Sequence, residues 1–156
     1  MNIGHHPAVA CLQMHSTAFD HCETNIHHLL AKLELQNKTN KDLTHLITKL
    51  THARAAGKAD FTQDPETFQA IEAIYKEFPE AFNNHLTFQW KNSNEIDAVL
   101  QALDAQVKIH ADGINQTTLL LNMRYEERVK YTDCALKTLE ICNRFIESIL
   151  NRMIPR

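Results

Sequence analysis

Apolar residues recur at heptad spacing along two long stretches of this chain, and a recurrence sustained that far admits few architectures. Read in steps of four and three, the first stretch gives Cys22, Ile26, Leu29, Leu33, Gln36, Asn40, Leu43, Ile47, Leu50 and Arg54, with Leu12 and Phe19 continuing the series upstream. Such a repeat holds one stripe of an α-helix against a neighbouring helix. The register does not slip, which predicts one long helix over residues 8–56 after a flexible tail at 1–7. Gln36 and Asn40 put polar groups on the seam, where they can fix register or partner number at some cost in stability. A short break between Asn37 and Asn40 is the alternative that the same residues allow. Gly57 is a natural stop, and Arg54 sits at the negative end of the helix dipole.

The second stretch follows Asn92-Ser93-Asn94-Glu95, which has the form of a capping box with Asn92 as N-cap. Its stripe reads Ile96, Leu100, Leu103, Val107, His110, Ile114, then Thr118, Leu121, Tyr125, Arg128, Thr132, Ala135, Leu139, Cys142, Ile146, Ile149 and Met153. The step from Ile114 to Thr118 is a four where a three is due, a stutter that locally unwinds a coiled coil. Gly113 stands beside it and costs about 1 kcal/mol relative to Ala in a helix. The expectation is a helix over 93–153 with a possible kink near 113.

Between the two stretches, residues 57–91 form a connecting segment. Asp64-Pro65-Glu66-Thr67 predicts a helix start with Asp64 as N-cap and Pro65 in the first turn. Phe68, Ile71, Ile74, Tyr75 and Phe78 mark its face, and Pro79 ends it at 78. Phe61, Phe68, Phe78, Phe82, Phe88, Tyr75 and Trp90 crowd this segment and predict an aromatic-rich cap. The stretch His85–Trp90 carries no signal that separates extended from irregular chain. Two long helices joined by a short insert bury both stripes by lying antiparallel. The expected fold class is therefore all-α: a long antiparallel helical hairpin, in one domain of 156 residues. Matching Arg54 to Ile96 brings Cys11 near Leu139 and Cys142, and Cys22 near Arg128.

Chemistry is sparse. Ten histidines are an unusual share, and Cys11 and His15, four apart on a helix, could face one metal. A structural zinc site needs four ligands, however, and only pairs occur, so no metal is expected. His110 is the one histidine squarely on the seam, where a pH switch or a satisfied core histidine are the two readings. The cysteines Cys11, Cys22, Cys134 and Cys142 form no CxxC pair and read as small apolar residues. There is no Gly-rich phosphate loop, no GxSxG and no HExxH. Glu126, Glu127 and Glu140 alternate with Arg124, Arg128, Lys130 and Lys137 as solvated helix pairs do. No catalytic residue and no cofactor are therefore expected.

A net charge of -3 is not the footprint of a nucleic-acid binder. No apolar run is long enough to span a membrane. The first residues have neither a basic nor an apolar region of the kind a cleaved signal peptide needs. What stands out is apolar excess: Val99, Leu119, Leu120, Val129, Leu136 and Leu150 flank the second stripe, which asks for a third helix or another subunit.

The run Lys91-Asn92-Ser93-Asn94-Glu95-Ile96, then Ile114-Asn115-Gln116-Thr117-Thr118-Leu119-Leu120-Leu121, Tyr125, Ala135-Leu136-Lys137-Thr138-Leu139 and Phe145 to Met153 resembles the C-terminal helix of type III secretion needle-tip and filament proteins. The resemblance spans about residues 91–153. It implies a non-enzymatic structural component of a bacterial secretion apparatus, outside the cell or at its surface, exported without a cleaved signal peptide. Its length is like that of the shorter filament-forming members. The partners implied are secretion-apparatus subunits, a chaperone, or further copies of the chain. The last and densest part of the stripe, with Leu136, Leu139, Ile146, Ile149, Leu150 and Met153, is the expected association surface. A cytoplasmic chaperone or adaptor that binds a partner's amphipathic helix is the alternative.

Overall fold

The computed structural model describes residues 7–57, 60–90 and 93–153. His5, His6, Lys91, Asn92 as N-cap and all but the last residue of the predicted tail lie outside them. The described chain is helical: α1 spans Pro7–Ala55, α2 Pro65–Glu77, a 3-10 turn Pro79–Phe82, and α3 Ser93–Met153. Among the described residues, strand-like pairing is limited to one isolated antiparallel bridge between Asp60 and Gln89.

α1 runs without a break through Gln36–Asn40. Its last turn closes with the Gly57 amide donating to the Arg54 carbonyl at 2.9 Å. Gly57 has φ +69°, a left-handed backbone that glycine adopts without a Cβ penalty. Asp64 caps α2: its carboxylate accepts from the amides of Glu66 and Thr67 at 3.2 Å each, and from the Thr67 hydroxyl at 2.6 Å.

The chain divides into two compact units, one of Lys32–Gln116 and one of Met1–Ala31 with Thr117–Arg156. The first unit holds the principal core. Leu43, Leu46 and Leu50 of α1 pack with Ile71 and Ile74 of α2, with Ile96, Val99, Leu100 and Leu103 of α3, and with Phe61, Ala81, Phe82 and Trp90 from the connections. The aromatic residues meet as separate pairs: Phe61 edge-on to Trp90, Phe68 stacked on Phe88, Tyr75 edge-on to Phe82. The predicted aromatic-rich cap is not found as one aromatic cluster among the described residues: the rings pair two by two, and the core beside them is mostly aliphatic. Arg54 of α1 pairs with Asp97 of α3 at 2.8 Å.

In the same unit Gly113 is a packing residue rather than a breaker. A Cβ built there would lie 3.0 Å from Nε2 of Gln36, so the missing side chain is what lets Gln36 lie against α3. Because Gln36 meets Gly113 while Arg54 meets Asp97, α1 and α3 run antiparallel here. Asn40, the other polar seam residue, is half-buried, and its Oδ1 has no hydrogen-bond partner among the described residues.

The second unit pairs the start of α1 with the end of α3. Cys22 Sγ donates to the Arg124 carbonyl at 3.0 Å, Arg128 donates to Glu23 at 2.8 Å, and Cys11 Sγ lies 3.8 Å from the Thr138 hydroxyl. Rising numbers on α1 meet falling numbers on α3, so these two segments are also antiparallel.

Two expectations concern these local devices. Asp64→Ala removes both amide acceptors and should lower stability by about 1 kcal/mol in urea unfolding at pH 7. Hydrogen bonding, first from the Thr67 side chain and then from its amide, holds the Asp64 carboxyl below its ordinary value of 3.8. Its contribution is thus whole above that pH and fades as pH falls through the lower folded value. Asp64→Asn keeps an acceptor and should remove this acid dependence. Asn40→Leu replaces an unsatisfied carbonyl oxygen with apolar surface on the seam and should stabilise the protein by about 1 kcal/mol, read as a higher melting temperature.

Candidate interaction surface

The seam of α3 in the second unit follows from which positions the structure turns inward. Thr117 is buried at 1% exposure and Leu121 at 7%, and Arg124, Arg128, Tyr131, Ala135, Thr138 and Cys142 continue the line half-buried. The spacing alternates three and four without interruption. The step from Ile114 is therefore a three, to Thr117, and Thr118 is exposed. The predicted stutter disappears, and α3 is helical straight through Gly113. Threonine and arginine on an inward line give little apolar signal, which is why the sequence stripe strayed from it.

This unit has a thin interior. Of the buried hydrophobic side chains among the described residues, only Cys22, Ile26 and Leu121 belong to it. Polar contacts reinforce the pairing instead. Arg128 reaches Glu23 and also stands over the Tyr125 ring, 5.5 Å from its centroid. Arg124 is held by Glu127 at 2.6 Å.

The apolar surface lies outside. Of the sixteen large hydrophobic side chains exposed among the described residues, thirteen belong to α3 between Leu119 and Met153. Exposed apolar residues scattered singly are ordinary on a protein surface, and so many on one helix make this segment the candidate surface. All six residues expected on the association surface (Leu136, Leu139, Ile146, Ile149, Leu150 and Met153) lie in it, exposed by 41% to 73%.

They do not form one site. Leu139, Ile146 and Ile149 line an apolar groove of about 560 Å³ together with Ile141, Cys142 and Phe145 of α3 and Pro7, Val9 and Leu12 of α1. Leu136, Leu150 and Met153 lie outside the groove. Leu12 continues the first stripe and Phe145 lies in the run that carries the resemblance, whereas Val9 and Ile141 were not singled out from sequence. Their signal is present as apolar residues off the stripe, but only the position of α1 joins them.

The candidate chemical groups are placed as follows. Cys11 Sγ is 3.4 Å from His15 Nε2, so that pair does share a face. No set of three or more His, Cys, Asp or Glu side chains converges among the described residues. His110, in the other unit, is half-buried with its ring edge-on to Phe78 at 5.3 Å. All four cysteines are free thiols, Cys22 buried and Cys134 exposed. No described helix is long and apolar enough to cross a membrane.

No protein-family model, curated protein or solved structure matches the chain.

Exposure and burial within α3 separate two kinds of position, and substitution should separate them too. Leu121→Ala opens a cavity in a thin interior and should cost about 2–4 kcal/mol. Phe145→Ser removes a larger but exposed side chain and should stay within about 0.5 kcal/mol of the parent. Thermal unfolding of the two variants side by side is the check.

Proposed function

We propose that this protein is a non-enzymatic structural component that works by assembly through the exposed apolar band at the C-terminal half of α3. The observation that carries this reading is the imbalance between the two units. Among the described residues, one buries thirteen hydrophobic side chains in a continuous core, whereas the other buries three and leaves thirteen large ones of α3 exposed. Apolar surface removed from water is worth about 25 cal/mol per Å², so a partner for this band gains most where the chain itself buries least.

The sequence likeness to type III secretion needle-tip and filament proteins supplies the setting. On it, the protein is a tip or filament subunit that acts outside the cell or on its surface, exported without a cleaved signal peptide. The finer fold that belongs to this reading is a hairpin with α1 and α3 as antiparallel arms and the aromatic-rich segment at its turn. Function then resides in the helices themselves rather than in any cleft.

The apolar groove favours a second reading. Lined by nine residues of which none is charged, it suits the apolar face of an amphipathic helix from another protein, as a chaperone or adaptor would hold. Ile146 belongs to both surfaces, so Ile146→Asp should disrupt assembly or client binding while leaving the helical content unchanged. Cell fractionation with size analysis distinguishes the readings. A structural subunit is found outside the cell and loses its assembled form in the variant. An adaptor stays inside with one stoichiometric client. An unchanged assembly and normal export in Ile146→Asp would rule out the first reading.

A further inference from the structure

The exposed band of α3 contains a second complete heptad seam. The inward line runs Arg124, Arg128, Tyr131, Ala135, Thr138, Cys142. One residue later at every step stands a line of exposed positions: Tyr125, Val129, Thr132, Leu136, Leu139, Asn143, continuing through Ile146, Leu150 and Met153. The steps alternate four and three from end to end, so both lines are straight seams, and one residue of offset sets them about 100° apart on the helix. A helix with two apolar seams at that angle is built for two neighbours, as in a four-helix bundle. α1 occupies the first.

We propose that the second seam is filled by α3 of another copy of this chain, parallel and in register. Three observations favour this occupant, and the proposal rests on the assembly reading above. First, the seam's apolar residues are 38% to 73% exposed, which at roughly 200 Å² for a large side chain exposes about 750 Å², enough when covered to approach the roughly 800 Å² each partner buries in a stable interface of standard size.

Second, Asn143 interrupts the seam at a core position. In a parallel pair it meets its own copy and the two amides hydrogen-bond, whereas opposite an apolar residue it is buried unsatisfied. Third, Glu126, Asp133, Glu140 and Glu147 form a row at heptad spacing along one flank of the seam. Antiparallel pairing sets these acids against the same row of the second copy. Parallel pairing sets them against the opposite flank, where Arg128, Ala135, Cys142 and Ile149 carry no negative charge.

The test uses the full chain. Light scattering after size exclusion at 10 to 100 µM on the order of typical assembly constants should give twice the chain mass. Leu150→Asp, exposed in the monomer, should give the chain mass with unchanged circular dichroism. A benzophenone side chain in place of Glu147 reports direction: parallel pairing yields adducts near residue 147 of the second copy, antiparallel pairing near residue 131. Adducts near 131, a dimer indifferent to Leu150→Asp, or a monomer throughout would each overturn the proposal. A monomer recovered from cells in a complex with another protein overturns the self-pairing alone. A chain that neither pairs nor enters any complex overturns the assembly reading with it.

Discussion

A helix turns only part of its circumference toward any one neighbour, and in this protein α3 has more apolar circumference than its own chain can cover. In the unit around α2 the excess is absorbed. Leu43, Leu46 and Leu50 face Ile96, Val99, Leu100 and Leu103, while α2 and the connections close the remaining sides with Ile71, Ile74, Phe61, Phe82 and Trp90. In the unit formed by the two chain ends there is no such insert. One arm of α1 meets one face of α3, and among the described residues thirteen large hydrophobic side chains of α3 are exposed.

The polar seam residues fit the same logic. Gln36 lies against Gly113 because the glycine has no Cβ to exclude it, and Thr117 is buried. Small side chains permit close approach, and close approach gives a weak hydrophobic contribution but strong geometric definition. Further along, Cys22, Glu23, Arg124 and Arg128 hold the pairing by a thiol–carbonyl hydrogen bond and an ion pair. Interactions of this kind are worth little beside a packed core. The order of the helices along the seam is thus specified by polar and small residues, and the surplus of apolar surface is directed outward.

Much of the local structure was legible in the sequence because it depends on near neighbours. The cap at Asp64 and the stop at Gly57 follow from hydrogen-bonding groups and backbone freedom within four residues. The approach of Arg54 to residues beside Ile96, and of Cys11 to residues beside Leu139, follows from pairing two heptad lines. The legible part failed where apolarity was the only guide. The stripe drawn through Thr118, Leu121, Tyr125, Arg128, Thr132, Ala135, Leu139 and Cys142 alternated between the two lines, with Leu121, Arg128, Ala135 and Cys142 from the inward one and the others exposed. Thr117, Arg124, Tyr131 and Thr138 do not look like core, so the inward line, buried at Thr117 and half-buried at the other three, carried little apolar signal.

The sequence by itself determined that the chain is helical, that Asp64 caps one helix and Gly57 follows another, and that the end of α3 is rich in apolar residues. These are properties of periodicity, capping groups and composition, which act within a few turns. Only the tertiary structure decided which of two adjacent heptad lines faces α1. A rotation of 100° is a single residue in sequence, and the choice between the lines depends on what stands opposite. It also decided that Pro7, Val9 and Leu12 join Ile141 and Phe145 in one groove, because residues more than a hundred positions apart meet only when two helices are packed.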